Sequence, residues 1–133
     1  MQNSTIKNES FSSSSSQTNK KSQRRRWLIR TGCLLASGTV IMASIGGHKY
    51  EWSARTTSLY NTAITYSFFN SFAVILSGFI TESLVPAGLF IAGTLGFSAP
   101  IWYKAFTQSR ALNFLMPYGG VSLILAWISL AFL

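Results

Sequence analysis

The stretch TTSLYNTAITYSFFNSFAVILSGFIT at residues 56–81 decides the fold, because it contains no Asp, Glu, Lys or Arg. A helix rises about 1.5 Å per residue, so roughly 20 apolar residues cross the roughly 30 Å hydrocarbon layer of a bilayer. Residues 31–47, 84–103 and 111–133 also lack charged side chains. The sequence therefore predicts an all-α integral membrane protein. The predicted architecture is a four-helix bundle with short loops, and the predicted spans lie at about 27–47, 61–81, 84–103 and 114–133.

The segment before the first span is polar, Ser-rich and basic. Residues 1–26 are expected to form a disordered tail, because they bury too little apolar surface to offset the entropy of ordering. A cleaved signal or a mitochondrial presequence is the alternative, since RRRWL at residues 24–28 superficially resembles a twin-arginine signal. The long first span lacks a clear A-x-A cleavage site, so we favour retention as a signal anchor.

Most of the net charge of +8 lies in this tail. Basic residues beside a span set orientation and attract anionic lipid, so we expect a lipid bilayer as the partner and no nucleic acid. Residues 20–30 contain six basic residues, against four (Lys49, Arg55, Lys104 and Arg110) near the opposite ends of the spans. Both termini are therefore predicted to be cytoplasmic, in a bacterial inner membrane or a mitochondrial membrane. The six are Lys20, Lys21, Arg24, Arg25, Arg26 and Arg30.

The second span has one face of small and polar residues and one face of bulky apolar residues. On a helical wheel, Tyr66, Ser67, Asn70 and Ser71 share a side, and Phe68, Phe72 and Phe79 lie opposite. In lipid, small and hydroxylated side chains let helices approach and form hydrogen bonds, so we expect the small face to point inward. Small residues elsewhere are expected to pack helices closely. They are Gly46, Gly47, Gly88, Ala92, Gly93, Gly96, Gly119 and Gly120.

Few residues are candidates for chemistry. His48 lies one helical turn from Glu51, but one imidazole and one carboxylate make an incomplete metal site, and a hydrated boundary histidine is the simpler interpretation. Asn70 is the most polar side chain at mid-membrane depth, where we expect it to join helices rather than bind a solute. Pro100 predicts a kink near Gly96. No catalytic or cofactor motif is found in the sequence, so an enzyme is not expected.

An ordered set of landmarks on the four spans resembles the domain of unknown function 423 family, which includes transmembrane protein 256. The similarity covers about residues 38–133 and implies a small four-helix membrane protein with no assigned activity. Where the family commonly has a second histidine, this chain has Asn70. The difference weakens the hypothesis that two histidines form a metal or proton site. The landmarks are Gly46, His48, Thr62, Ala63, Tyr66, Ala87, Gly88, Gly93, Phe97, Ser98, Tyr103, Pro117, Gly119, Gly120 and Trp127.

Three functions remain open on the sequence. The first is a non-enzymatic structural or interaction protein whose small faces pack with each other and with a second copy or another membrane protein. The second is a small solute or proton-coupled transporter, in which Tyr66, Ser67, Asn70 and Ser71 line a site beneath a third helix kinked at Pro100. The third is lipid sensing through the basic tail, which predicts that deleting residues 1–26 changes partitioning between anionic and neutral bilayers. We expect no cofactor in any of the three cases.

Overall fold

The computed structural model describes residues 2–48 and 51–133, with side chains for residue 9 and for residues 11–48 and 51–133. Four helices make up the described chain: α1 at Gln2–Gly47, α2 at Ala54–Ile80, α3 at Val85–Thr107 and α4 at Leu115–Phe132. All four are long and apolar enough to cross a membrane. The predicted four-helix membrane bundle is confirmed. Lys49 of the orientation count lies outside the described residues.

Helix α1 differs from the sequence prediction, because helix continues through the tail that was expected to be disordered. It contains 46 residues, so it is about 69 Å long, roughly twice the thickness of the hydrocarbon layer. Once the apolar part of a helix has formed, each added residue avoids the cost of nucleation. Hydroxyls in the tail also bond to carbonyls of their own helix, as Ser15 does to Ser12 and Thr18 to Ser14.

The ends of α2 and α3 are fixed by local hydrogen bonds. Ser53 caps α2, accepting a bond from the Thr56 amide at 3.3 Å, which starts the helix before the predicted span. Thr81 ends α2 in an extended conformation. At the other end of α3, Gln108 adopts a left-handed conformation with φ of 57° and donates its amide to the Lys104 carbonyl.

Consecutive helices pack together: α1 on α2, α2 on α3 and α3 on α4. The core forms mainly between α2, α3 and α4, with one residue from α1. Because the helices run antiparallel, the loop at residues 81–84 lies beside the basic part of α1. Lys21 and Arg24 of α1 contact this loop directly. The core residues are Leu28, Ala73, Val74, Ala87, Phe90, Leu123, Ala126 and Leu130.

Candidate functional site

Serine side chains connect α2 and α3 inside the bundle. Ser67 Oγ donates to Ser98 Oγ at 2.6 Å, and Ser98 Oγ lies 3.3 Å from the Ala63 carbonyl, to which it donates. Ser71 Oγ donates to the Ser67 carbonyl within α2. All three serines are buried. Of the predicted polar line, Ser67 and Ser71 therefore lie in the interior and are hydrogen-bonded to protein groups.

Tyr66 differs from the rest of that line. Its side chain is 52% exposed, and its ring packs edge-on against Phe97 at a centroid distance of 5.7 Å. The helical wheel placed Tyr66 on the inward-facing small side, and this placement is wrong, because its bulk is accommodated at the surface rather than between helices. The structure thus brings Ser67, Asn70 and Ser71 to the interior and leaves Tyr66 facing outward. The bulky residues Phe68, Phe72 and Phe79 are exposed, as a lipid-facing surface requires.

Asn70 is buried, and its Nδ2 atom has no hydrogen-bond partner among the described residues. Thr94 Oγ1 and Trp102 Nε1 on α3 are likewise buried without a partner in the described part of the chain. An unsatisfied buried donor costs roughly 1 to 3 kcal/mol. Arg24 Nε and Asn113 Oδ1 also lack partners there, so Asn70, Thr94 and Trp102 provide three of the five buried polar atoms that the described residues leave unpaired.

Thr94 and Trp102 line a groove of about 370 Å³ between α1 and α3, with α2 at its base. Its walls are mostly apolar and include Leu34 and Ile41, which are strongly exposed. Asn70 is not part of its lining, although Ser67, one turn before it, is. The groove therefore opens toward lipid, and it does not bring the predicted polar positions together.

His48 lies at the end of α1, exposed, with Nδ1 donating to the Ser44 carbonyl at 2.8 Å. A carbonyl oxygen only accepts, so Nδ1 carries the proton. Within residues 2–48 and 51–133, no group of three or more His, Cys, Asp or Glu side chains is placed to hold a metal ion. The geometry at His48 is that of a helix-terminal side chain satisfying a backbone carbonyl.

Five of the predicted packing glycines fall into two groups, those in close contact with a neighbouring helix and those with open space around them. Gly93 packs against Leu123, and Gly96 and Gly119 bring α3 and α4 into backbone contact, since a Cβ on Gly96 would lie 3.3 Å from Gly119 Cα. A Cβ on Gly88 or Gly120, in contrast, would meet nothing within 4 Å.

The remaining small positions divide in the same way. Gly46 packs against the ring of Tyr60, whereas Gly47 has no atom within 4 Å of a built Cβ and Ala92 is exposed. The ridge of Gly88 and Ala92 therefore differs from the prediction, because the neighbouring helices pack on the adjoining face of α3 instead.

Tyr60 is a residue whose role the sequence did not indicate. Its side chain is 2% exposed, and its hydroxyl donates to the Met42 carbonyl at 2.5 Å. Its ring packs with Trp52 and Phe106 at centroid distances of 4.9 and 6.1 Å. The signal available in the sequence was Gly46, whose missing side chain makes room for the ring.

At the opposite end of the bundle, half of the predicted basic residues have partners. Lys21 Nζ pairs with Glu82 Oε1, Arg24 Nη2 donates to the Thr81 carbonyl at 3.2 Å, and Arg25 lies 4.8 Å above the Phe79 ring. The Lys21 ammonium, by its hydrogen bond and then its charge, lowers the pKa of Glu82, and Arg24 adds to this effect. The tail is thus fastened to the loop between α2 and α3.

The other three basic residues have no partner among the side chains that the structure describes. Lys20, Arg26 and Arg30 form no hydrogen bond or ion pair with the described side chains, and they line a groove of about 680 Å³ together with Trp27 and Leu84. Trp27 and Leu84 are both more than half exposed. This end of the molecule therefore presents cationic and apolar groups side by side.

Comparison with known proteins agrees with this architecture. The profile of the family described as "Protein of unknown function (DUF423)" matches residues 42–120. The chain belongs to this family. The resemblance inferred from the sequence is confirmed. The DUF423 profile covers α2, α3 and the contact between Gly96 and Gly119, but not the basic part of α1.

Bacterial relatives of this DUF423 chain are named as membrane proteins. The UPF0382 membrane protein SERP0230 of Staphylococcus epidermidis is 28% identical over 109 residues, which cover 77% of this chain and 89% of the relative. The UPF0382 membrane protein YwdK of Bacillus subtilis is 25% identical over 109 residues, covering 75% and 89%. No solved structure matches. The chain is an integral membrane protein of a family without an assigned activity.

Proposed function

We propose that this DUF423 chain is a non-enzymatic structural or interaction protein, which assembles with a second copy or with another membrane protein. The observation that carries the proposal is the use of the interior polar groups. Ser67 and Ser98 bond to each other, and Ser122 Oγ on α4 donates to the Leu89 carbonyl on α3 at 3.0 Å. These groups join helices, as is typical of polar residues in membrane bundles.

The surface of α3 supports assembly as well. Gly88 and Ala92 are exposed, four residues apart on one face, and are not covered by a neighbouring helix. Helices in lipid associate through small residues, because these let two backbones approach closely. A second helix on this face would make the contact for which the sequence of α3 is suited.

The location that we propose is the bacterial cytoplasmic membrane, with both termini in the cytoplasm. Support comes from the bacterial relatives and from the basic residues of α1, which outnumber those near the opposite end. A reporter that is active only in the cytoplasm should be active when it is fused to either terminus. An externally active carboxyl-terminal fusion would contradict this topology.

Cysteine crosslinking in native membranes tests assembly. Cys33 is exposed, so a Cys33→Ser background is needed. We expect Ala92→Cys to form a disulfide-linked dimer or a crosslink to another membrane protein, and Ile124→Cys on the exposed face of α4 to form neither. Native mass spectrometry of the parent protein provides the independent measurement. A monomer with no co-purifying protein, together with no Ala92→Cys crosslink, would overturn the proposal.

A transporter is the second candidate, and one observation favours it. Asn70 Nδ2 and Thr94 Oγ1 are buried without partners in the described chain, so both donors are available to bind a solute. Uptake into proteoliposomes separates the two candidates. A solute flux abolished by Asn70→Leu would support transport, whereas equal passive leak with the parent and the variant would remove this candidate.

A further inference from the structure

The free cations of α1 form a compact surface rather than a dispersed charged face. Lys20, Arg26 and Arg30 line one groove, about 680 Å³ in volume, whose other walls include Gln23, Trp27 and Leu84. Leu84 belongs to the loop between α2 and α3, so the groove is built from two separate parts of the chain. We call this surface the basic groove.

The described side chains leave the positive charge of the basic groove without a neutralising partner. Glu82 is the carboxylate of the adjoining loop, and Lys21 occupies it. Arg24, at the edge of the groove, is directed to the Thr81 carbonyl. Lys20, Arg26 and Arg30 have no anionic partner within the described side chains. Three cations brought together without a counter-charge favour an anion from outside the chain.

The level of the basic groove in the bilayer indicates what kind of anion it binds. Leu28 is buried in the core, while Trp27 beside it is exposed at the point where the apolar part of α1 begins. Trp residues prefer the headgroup level of a bilayer, and an Arg one turn deeper extends its guanidinium toward the water. Trp27 and Leu84 therefore face the upper acyl chains, while Lys20 and Arg26 face the aqueous side.

We propose that the basic groove binds the headgroup of an acidic phospholipid. The guanidinium groups of Arg26 and Arg30 would donate to the phosphate oxygens, because the planar donors of Arg suit this geometry. Lys20 would add attraction, and Trp27 and Leu84 would contact the glycerol and the first acyl carbons. A zwitterionic lipid carries its own ammonium group next to the phosphate and is attracted less. The site does not depend on the proposed assembly through α3.

Native mass spectrometry of the full chain, from nanodiscs containing equal amounts of phosphatidylglycerol and phosphatidylcholine, tests the proposal. We expect retained lipid to be mainly phosphatidylglycerol. Each neutralised Arg should reduce that preference about fivefold, so Arg26→Gln/Arg30→Gln should nearly abolish it. Lys104→Gln/Arg110→Gln, at the opposite end of the bundle, removes the same charge and should preserve it. Equal losses in the two double variants would overturn a specific groove.

Two further measurements keep the result decisive. A phosphatidylglycerol analogue with a photoreactive group near its headgroup should label residues 20–30 or Leu84 of the unmodified protein, even if the Arg variants fail to insert. Labelling confined to residues 104–113 would overturn the proposal. Inorganic phosphate in the millimolar range should not displace the retained lipid, and displacement would indicate a site for free anions instead. Loss of lipid binding with dimer formation unchanged would leave the proposed function intact.

Discussion

Ser67 and Ser98 form a hydrogen bond of 2.6 Å across the interface of α2 and α3, with both side chains buried. Interhelical bonds of this kind contribute about 0.6 kcal/mol on average, with a maximum near 1.7 kcal/mol, because the unfolded state in a micelle or bilayer also finds partners. The bond therefore fixes the register of two helices more than it supplies stability.

Ser98→Ala should lower the free energy of unfolding by about 0.6 to 1.7 kcal/mol, measured by titration with sodium dodecyl sulfate in mixed micelles. Ser67→Ala combined with Ser98→Ala should cost less than the sum of the single changes, since both remove the same bond. Ser37→Ala is the control, because that exposed hydroxyl bonds only to the Cys33 carbonyl in its own helix. Strictly additive losses would show that the bond contributes nothing.

Gly119→Ala should destabilise the contact of α3 with α4 by about 1 to 3 kcal/mol. A Cβ at Gly119 would overlap the backbone of Gly96 and Phe97, which cannot move aside as a flexible side chain can. Gly120→Ala is a matched control with nothing within 4 Å of the added carbon. The thermal midpoints of the two variants in detergent provide the comparison, and equal midpoints would contradict the close approach.

Asn70→Leu should maintain or raise the free energy of unfolding. The change removes a buried amide nitrogen that has no partner in the described chain, and an unsatisfied donor costs roughly 1 to 3 kcal/mol. Asn61→Leu, at an exposed position of the same helix, should have little effect. The same detergent titration measures both variants. A large loss of stability in Asn70→Leu alone would show that the amide forms a bond essential to the fold.

The pairing of Lys21 with Glu82 predicts a pH effect with a defined sign. Because Lys21 lowers the pKa of Glu82, the pair contributes stability above the ordinary carboxyl value, and the contribution is lost as the pH falls through the lowered pKa. An NMR titration of the Glu82 carboxyl carbon should therefore give a higher pKa in Lys21→Met than in the parent. Identical values would show that Lys21 does not pair with Glu82.

The four spans could be predicted from the sequence, because the absence of charge over some 20 residues has one dominant physical consequence. The inward direction of Ser67 followed from helical periodicity in the same way. The outward placement of Tyr66 and Gly88 could not be predicted in this way, since a helical wheel defines a face but not which neighbouring helix covers that face. Burial of Tyr60 depends on Gly46, a contact between two helices, which no local pattern records. The helical tail of α1 was missed because composition predicts only the isolated segment.

The unbroken course of α1 couples the aqueous side of the membrane to its interior. The part of the helix before Trp27 extends some 37 Å, so a change of about 10° in the tilt of the span would displace its tip by about 6 Å. A small change in the tilt of the span within the bilayer would thereby become a displacement of several ångströms at the amino-terminal end of α1.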